Sequence, residues 1–336
     1  MKKSLIALAV LGAAAGAASA QSNVTLFGVV DVGVRHVDNA GVTQQQLSTD
    51  GANSSRLGFR GVEDLGGGLK AGFWLESALN ADTGTINSSG KFWHRRSTVS
   101  LSSDSIGELR LGRDLTPTWT AFADFDVFGT NGIGDASTTY AALGGIDTRI
   151  RSDNMVQYFL PSTLGGVYGS VAVAAGEGTA GKKYTGGRVG YRSGPIDVSA
   201  AYGQTEVTSD DVKLAVVSGA YDFGVVKVSG SVQEAKYQAS KDRHYTLGVS
   251  APFGASLVRA SYSKADGSGD ISTRDADQFA LGYVYNLSKR TALYTTYALI
   301  DNKGSANYTV GTINGVTMPK TEEKSQGLEL GVRHAF

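Results

Sequence analysis

Apolar and polar residues alternate with a period of two through nearly the whole chain. From Val24 to Arg35, the even positions carry only valine, leucine and glycine, while the odd positions are mixed or polar. The same pattern returns at 278–286 and again at 328–336. Successive side chains of a β-strand point to opposite faces, so this period indicates strands. No segment shows a sustained period of 3.6 residues, and the chain is therefore predicted to be all-β.

The first twenty residues form a segment of a different kind. A positive start at Met1-Lys2-Lys3 is followed by a small, apolar stretch that ends in Ala18-Ser19-Ala20. This order is typical of a secretory signal peptide. The alternative is a membrane anchor, but the run is alanine-rich and too short for one. We predict that residues 1–20 are removed and that residues 21–336 form one domain.

Clusters of Gly, Pro, Asn, Asp and Ser divide the domain into segments of similar length. Seven clusters have the length of hairpin turns, and eight longer polar stretches alternate with them. The short turns are 64–68, 102–107, 161–166, 193–195, 222–224, 253–255 and 286–290. The longer stretches are 36–53, 80–92, 114–152, 177–182, 207–211, 237–241, 266–274 and 302–323. Together these fifteen connections predict sixteen strands, which at about 10 residues each need about 160 residues.

Two architectures can use such strands. In a soluble sandwich the apolar faces of two sheets pack together, whereas in an outer-membrane barrel the apolar face meets lipid. Short turns that alternate with long loops are typical of the barrel, and closure leaves no unpaired strand edge in hydrocarbon. Aromatic residues near strand ends also fit interfacial girdles. They are Tyr158, Phe159, Tyr191, Tyr221, Tyr245, Tyr283, Tyr285 and Tyr294. We predict a 16-stranded antiparallel transmembrane β-barrel.

Composition excludes several other classes of protein. The 31 basic and 31 acidic residues balance, whereas nucleic-acid binders usually carry a basic excess. There is no cysteine, and the four histidines (His36, His94, His244 and His334) are scattered singly. Residues 176–181 fit G-x-G-x-x-G, but an alternating strand follows where a nucleotide fold needs a helix. We therefore expect no metal, cofactor, catalytic site or nucleic-acid partner.

Glycine makes up 45 of the 336 residues, roughly twice the usual share. Many glycines fall inside strands, where the residue normally weakens the strand or marks a close approach. They recur on the polar face, as at Gly58, Gly72, Gly248 and Gly282. We expect small residues there to leave space unfilled inside the barrel.

Several longer segments carry a specific resemblance. They are 24–31 (VTLFGVVD), 55–76 (SRLGFRGVEDLGGGLKAGFWLE), 95–102 (RRSTVSLS), 109–114 (LRLGRD), 286–291 (NLSKRT) and 331–336 (GVRHAF). In this order they resemble the general porins of Gram-negative outer membranes, most closely the beta-proteobacterial type. The resemblance covers essentially the whole of residues 21–336. It implies a homotrimer in contact with outer-membrane lipid and lipopolysaccharide, through which ions and small hydrophilic solutes diffuse passively along a water-filled channel.

The resemblance also implies a constriction. In this family the third loop, here residues 114–152, folds into the lumen and carries acids that face a ladder of arginines on the wall. The acids available in this chain are Asp124, Asp126 and Asp135. Val127 stands where many members of the family carry glutamate, which weakens the acidic wall that is expected.

Candidates for the basic wall come from both the polar faces and the family match. Arg56 lies on the polar face of the predicted second strand, and Arg151 matches a ladder position of the family. At the fourth strand the family match favours Arg95, whereas the period of two favours Arg96, and both remain candidates. Glu76 faces inward on the third strand and is a candidate partner for one of these arginines. Further basic residues on predicted lumen faces are Arg35, Arg60 and Lys70.

Closely spaced guanidinium groups in a narrow lumen attract anions. We therefore expect a porin with weak anion selectivity and no enzymatic activity. The main alternative is an outer-membrane structural or adhesive barrel with a closed lumen, whose loops do the binding. A soluble secreted β-sandwich is a third reading.

Overall fold

The computed structural model describes residues 23–86, 90–311 and 318–336. The predicted signal peptide, residues 1–20, lies outside them. Eighteen strands are found in the described residues. They are β1 (Asn23–Asn39), β2 (Val42–Ser48), β3 (Arg56–Gly66), β4 (Leu69–Asn80), β5 (Thr85–Ile86), β6 (Arg96–Ser103), β7 (Gly107–Leu115), β8 (Arg151–Phe159), β9 (Val167–Ala174), β10 (Lys183–Ser193), β11 (Ile196–Glu206), β12 (Asp211–Asp222), β13 (Lys227–Tyr237), β14 (Ser240–Phe253), β15 (Ser256–Ser268), β16 (Arg274–Asn286), β17 (Thr291–Gly304) and β18 (Lys324–Ala335).

Helical structure in the described residues is short. It consists of α1 (Pro117–Ala123) and three 3₁₀ turns, Gly132–Gly134, Ala136–Thr139 and Gly269–Ile271. Seven residues make about two helical turns, which is too short to show a sustained helical period in the sequence. No helix within these ranges has both the length and the apolar character needed to cross a membrane.

The strands close into one barrel. Neighbouring strands pair antiparallel, and β1 pairs with β18 from Val29↔Ala335 to Asn39↔Ser325. On its other side, β1 pairs with β3 through its first half and with β2 through its second half. Thus β2 and β3 form one barrel strand that is interrupted at 49–55, and β5 only extends a hairpin from the end of β4. The result is a closed 16-stranded antiparallel barrel. It confirms the predicted fold class and excludes the sandwich.

The barrel reverses the usual distribution of polar and apolar side chains. On β1, Val30 and Val34 are 41% and 57% exposed, whereas Asp31 and Arg35 are 0% and 1% exposed. The same reversal recurs around the wall, with exposed valine, leucine and tyrosine outside and buried serine, threonine and glutamine inside. A soluble fold buries its apolar face, whereas an outer-membrane barrel turns that face toward lipid. The exterior of this barrel is therefore suited to a bilayer.

The connections keep the predicted alternation, with two differences at the long-loop end. All seven predicted short turns join consecutive strands at the other end of the barrel. However, β1 and β2 continue as a hairpin, so most of the loop predicted at 36–53 is strand. Ala40 and Gly41 both have positive φ, as a tight hairpin turn requires. The loop predicted at 237–241 is also a tight hairpin, because Tyr237 pairs directly with Ser240.

The connection between β7 and β8 turns into the barrel. Its helix α1 has proline at the first helical position, where the missing N–H costs no hydrogen bond. Ser218 Oγ, on the inner face of β12, donates to the Ala121 carbonyl at 2.7 Å. Ser229 Oγ, on the inner face of β13, donates to the Phe125 carbonyl at 2.7 Å. Wall serines thus hold the first half of this loop.

The second half of the same loop reaches other parts of the wall. Gln278 Nε2 on β16 donates to the Asp135 carbonyl at 3.2 Å. The Asn131 side-chain oxygen accepts from both the backbone N–H and the hydroxyl of Ser54, beside β3, at 2.9 and 2.8 Å. Contacts on these separate strands mean that the loop crosses the lumen. The third loop is therefore folded inward, as the resemblance implied.

Several glycines on the inner face provide room for packing, so the expectation of empty space is wrong at Gly58, Gly248 and Gly282. A Cβ added at Gly248 would lie 2.6 Å from Val127 Cγ1, and one added at Gly282 would lie 2.9 Å from Phe128 Cε1. At Gly58 the same position is taken by an aromatic ring of the neighbouring strand. Such distances are too short for any side chain, so these glycines accept the loop tip and aromatic rings against the wall.

Most of the predicted girdle aromatics lie on the outer face. Exposed members are Tyr191, Tyr221, Tyr245, Tyr283 and Tyr285. Tyr294 is an exception, since it is 4% exposed and its hydroxyl donates to Asp31 Oδ1 at 2.6 Å. The even-numbered residues of β17 face inward, so the prediction for Tyr294 is wrong. Phe159 also turns inward, with its ring centroid 4.1 Å from Arg110 Cζ.

Candidate functional site

A buried glutamate on β4 gathers basic side chains on the inner wall. Arg56 Nη1 donates to Glu76 Oε1 at 3.2 Å, and Arg95 Nε donates to the same oxygen at 2.5 Å. Trp74 Nε1 donates to the other carboxylate oxygen at 3.0 Å. Glu76 is only 6% exposed. One carboxylate therefore holds two guanidinium groups side by side, although like charges repel.

Arg151, the first residue of β8, joins this group through the backbone. Its Nε donates to the carbonyl of Arg95 at 2.8 Å. Among the residues that the structure describes, no carboxylate lies within ion-pair distance of Arg151. Its positive charge is therefore neutralised less directly than those of Arg56 and Arg95.

Arg95 and Arg96 both reach the inner wall, by different routes. Arg95 precedes β6 and turns toward Glu76. Arg96 begins β6, where its Nε lies 3.0 Å from Thr98 Oγ1 and 3.4 Å from an oxygen of Asp114. Its Cζ also lies 4.6 Å from the ring centroid of Trp74, a cation–π contact. Both alternatives that the sequence left open thus lie in the lumen.

The basic surface continues onto β7. The further ion pairs join Arg110 to Glu108 and Asp114, and Arg113 and Lys91 to Asp153. With these residues, six arginines and one lysine face four carboxylates, a local excess of three positive charges. The side chains of the five arginines that form ion pairs keep between 15% and 21% of their surface exposed. They can therefore still meet a solute in the lumen.

Sequence reasoning did not select Arg110 or Arg113 as site residues. A usable signal was present for Arg110, since Leu109 and Leu111 on either side of it are exposed on the outer face. Alternation alone then places Arg110 inside. We therefore define the basic wall by its seven cations, together with the four carboxylates that they face. The cations are Arg56, Lys91, Arg95, Arg96, Arg110, Arg113 and Arg151.

The two acids predicted for the constriction have other partners. Asp124 pairs with Arg188 of β10 at 2.6 Å. Asp126 is buried, and its carboxylate accepts the backbone N–H groups of Phe128 at 3.1 Å and Thr130 at 2.7 Å. Within the described parts of the chain, neither carboxylate contacts the basic wall. The structure thus brings together the predicted arginines and Glu76, but it does not bring Asp124 or Asp126 into contact with them.

A third loop acid, Asp135, caps the second 3₁₀ turn. Its Oδ1 accepts from the backbone N–H and the hydroxyl of Ser137 at 2.8 and 2.7 Å. Burial raises the pKa of Asp135 to about 7, and the nearby charge of Asp126 adds to the rise. Burial likewise raises the pKa of Asp126. Near neutral pH the loop therefore carries less negative charge than its number of acids suggests.

The raised pKa of Asp135 predicts a loop that is held more firmly in acid. Asp135 binds a proton more tightly in the folded loop than in the unfolded chain. Protonation of Asp135 therefore stabilises the folded loop fully below about pH 4, and this stabilisation declines as the pH rises toward 7. We expect amides 128–138 to exchange at least about tenfold faster at pH 8 than at pH 5 after correction for intrinsic rates. Hydrogen exchange measures this difference. It should shrink in Asp135→Asn, where the raised pKa of Asp126 still contributes, and persist in full in Asp64→Asn, a control in a short turn. An unchanged difference in Asp135→Asn contradicts the assignment.

An apolar exterior, a closed sheet and a basic interior crossed by a loop define a transmembrane β-barrel of the outer-membrane type. The family model described as Gram-negative porin matches residues 7–305. The chain belongs to the Gram-negative porin family and is a porin of the outer membrane. The predicted family and location are thereby confirmed, and porins are channels rather than enzymes.

Relatives support this assignment along the whole chain. Outer membrane porin protein 32 of Delftia acidovorans is 44% identical over the full length of both chains. Major outer membrane protein P.IB of Neisseria meningitidis serogroup A is 31% identical, also over both full lengths. The solved anion-selective porin from Comamonas acidovorans is 41% identical, with a TM-score of 0.85, over 94% of this chain and 100% of that one.

Proposed function

We propose that this porin is a homotrimeric, water-filled channel through which ions and small hydrophilic solutes diffuse passively, with a weak preference for anions. The observation that carries the proposal is the local excess of three positive charges on the basic wall. Selectivity in a pore depends on the charges and the width at its narrowest part. The solved relative from Comamonas acidovorans is named as an anion-selective porin, which supports a preference for anions in this chain as well.

The charge of the loop also favours anions. Asp124 is paired with Arg188, and the carboxylates of Asp126 and Asp135 accept hydrogen bonds from backbone N–H groups of the loop. The loop therefore presents little free negative charge to offset the guanidinium groups opposite. In a low-dielectric passage, like charges on the wall concentrate counter-ions and exclude co-ions. Added salt screens this effect, so the preference should weaken as ionic strength rises.

The direct test is the zero-current potential of the purified protein in a planar bilayer under an about tenfold KCl gradient. We expect that potential to shift toward the equilibrium potential of chloride, and to move back toward zero when both salt concentrations are raised. A potential that lies toward the potassium value would contradict anion preference. No conductance from well-folded protein would favour the alternative of a structural barrel with a closed lumen.

The same recordings test the oligomeric state. A homotrimer with three separate channels should close in three equal steps under high voltage. Single steps of equal size, together with a monomeric mass in detergent, would contradict the trimer.

A further inference from the structure

Aromatic and basic side chains share one stretch of the inner wall toward the short-turn end of the barrel. Arg60 on β3 is the cross-strand partner of Trp74 on β4, and its Cζ lies 5.1 Å from the centroid of the Trp74 ring. The same Cζ lies 5.3 Å from the ring centroid of Phe27 on β1. Phe27 and Trp74 also contact each other edge to face, with their centroids 5.0 Å apart. One guanidinium group is therefore held against two aromatic rings.

The contacts continue along the wall from Trp74. The Cζ of Arg96 lies 4.6 Å from the Trp74 ring centroid, and Asp114 pairs with both Arg96 and Arg110. Arg110 in turn carries the ring of Phe159 at 4.1 Å. The interior of an outer-membrane barrel is usually polar, so three aromatic rings in one row are a departure from the rest of the wall. We call this row the arginine–aromatic belt, and its members are Phe27, Arg60, Trp74, Arg96, Arg110 and Phe159.

Arg60 is the member of the belt that can best bind a solute. Its side chain is exposed to the lumen, and among the residues that the structure describes no carboxylate lies within ion-pair distance of it. Phe27 and Trp74 are only half-buried, so part of each ring also faces the lumen. The two rings restrict the motion of the Arg60 side chain, which reduces the entropy that it loses when an anion binds. A free guanidinium group thus lies beside accessible aromatic surface.

We propose that the belt is a binding site for aromatic carboxylates, with the carboxylate of the solute on Arg60 and its ring against Phe27 and Trp74. This inference rests on the channel function proposed above and names a class of solute for it. The planar fork of a guanidinium group matches a carboxylate and binds it through two hydrogen bonds. Aromatic rings attract one another in edge-to-face and offset contacts. An aliphatic carboxylate gains the first interaction but not the second.

The binding test compares benzoate with cyclohexanecarboxylate, which has the same charge and a similar size but no aromatic ring. Each is titrated into the refolded protein in detergent, and ligand-observed NMR relaxation gives its dissociation constant without any need for a conducting channel. A transported solute must bind weakly enough to leave. We therefore expect weak binding of both, with benzoate bound several-fold more tightly. Equal binding of the two, or tighter binding of cyclohexanecarboxylate, would overturn the proposal.

Variants locate the site. Trp74→Leu removes a ring and should reduce the preference for benzoate to near unity, whereas Trp74→Phe keeps a ring and should retain most of it. Arg60→Gln should weaken the binding of both carboxylates about tenfold. The matched controls are Phe73→Leu, a ring on the outer face of β4, and Lys70→Gln, a cation on the inner face of the same strand. A preference that survives Trp74→Leu, or losses in the controls as large as those in the belt variants, would contradict this site.

Current recordings separate this inference from the channel function itself. We expect benzoate to reduce the chloride current at a several-fold lower concentration than cyclohexanecarboxylate does. If the KCl potential shows anion preference but the two carboxylates block equally, the channel function stands and the inference about the belt is wrong. If the potential shows cation preference while benzoate still binds more tightly through Trp74, the proposed selectivity is wrong and the binding site stands.

Discussion

Replacing Arg56, Arg95, Arg96 and Arg151 together with glutamine is expected to turn the channel from anion preference toward cation preference. The basic wall has an excess of three positive charges, and removal of four leaves an excess of one negative charge. Since the sign of the local charge reverses, the ratio of chloride to potassium permeability should fall several-fold and pass below one. The zero-current potential in a KCl gradient measures this ratio.

Two further variants make the result specific. Replacing four outward-facing lysines with glutamine (Lys183, Lys264, Lys303 and Lys324) removes the same charge from the opposite side of the wall and should leave the potential unchanged. Glu76→Gln should strengthen the anion preference, because it removes the carboxylate that Arg56 and Arg95 share. If the fourfold arginine variant keeps the wild-type potential, these arginines do not set selectivity.

The second large effect is expected at the seam where the barrel closes. Arg35 of β1 lies directly opposite Glu329 of β18, and Arg35 Nε donates to Glu329 Oε2 at 2.5 Å. Both side chains are almost completely buried, at 1% and 0% exposure. Asp50 is a second partner of Arg35 at 2.9 Å but is itself partly exposed. Glu329→Ala removes the buried one of the two carboxylates that neutralise this buried guanidinium, so it should lower the free energy of unfolding by about 3 kcal/mol.

A double variant separates pairing from packing. Replacing a buried ion pair by apolar residues of similar volume is often nearly neutral. Arg35→Met with Glu329→Leu should therefore recover most of the stability that Glu329→Ala loses. Urea unfolding of the protein in lipid vesicles measures both changes. If the double variant is at least as unstable as the single one, the pair does not act through its buried charge.

Alternation and turn chemistry were sufficient to predict the closed barrel and many of the residues on its inner wall. The period of two places Arg56 and Glu76 on the inner face, because both residues belong to regular strands. The same period favours Arg96 and does not find Arg95, because Arg95 precedes β6 and its direction depends on its contact with Glu76. The period of two, applied to β17, would have placed Tyr294 inside the barrel.

The path of the inward loop could not be predicted from the sequence. Its anchors are remote in the chain, as with Phe125 and Ser229, which are 104 residues apart. Asp124 meets Arg188 and not the arginines of the basic wall because the loop first runs along the other side of the lumen. The same path explains the glycines, since Gly248 and Gly282 are small because Val127 and Phe128 rest on them.

This anchoring makes the open cross-section eccentric. The loop rests mainly on the serines and glycines of β12 to β16 and reaches Ser54, beside β3, only at Asn131, whereas the basic wall spans β3, β4 and β6 to β8. In the channel proposed above, we expect a permeating ion to travel beside the arginines and not along the barrel axis. We expect a solute with one negatively charged end to enter with that end turned toward the arginine side, and a solute with one positively charged end to enter with that end turned away.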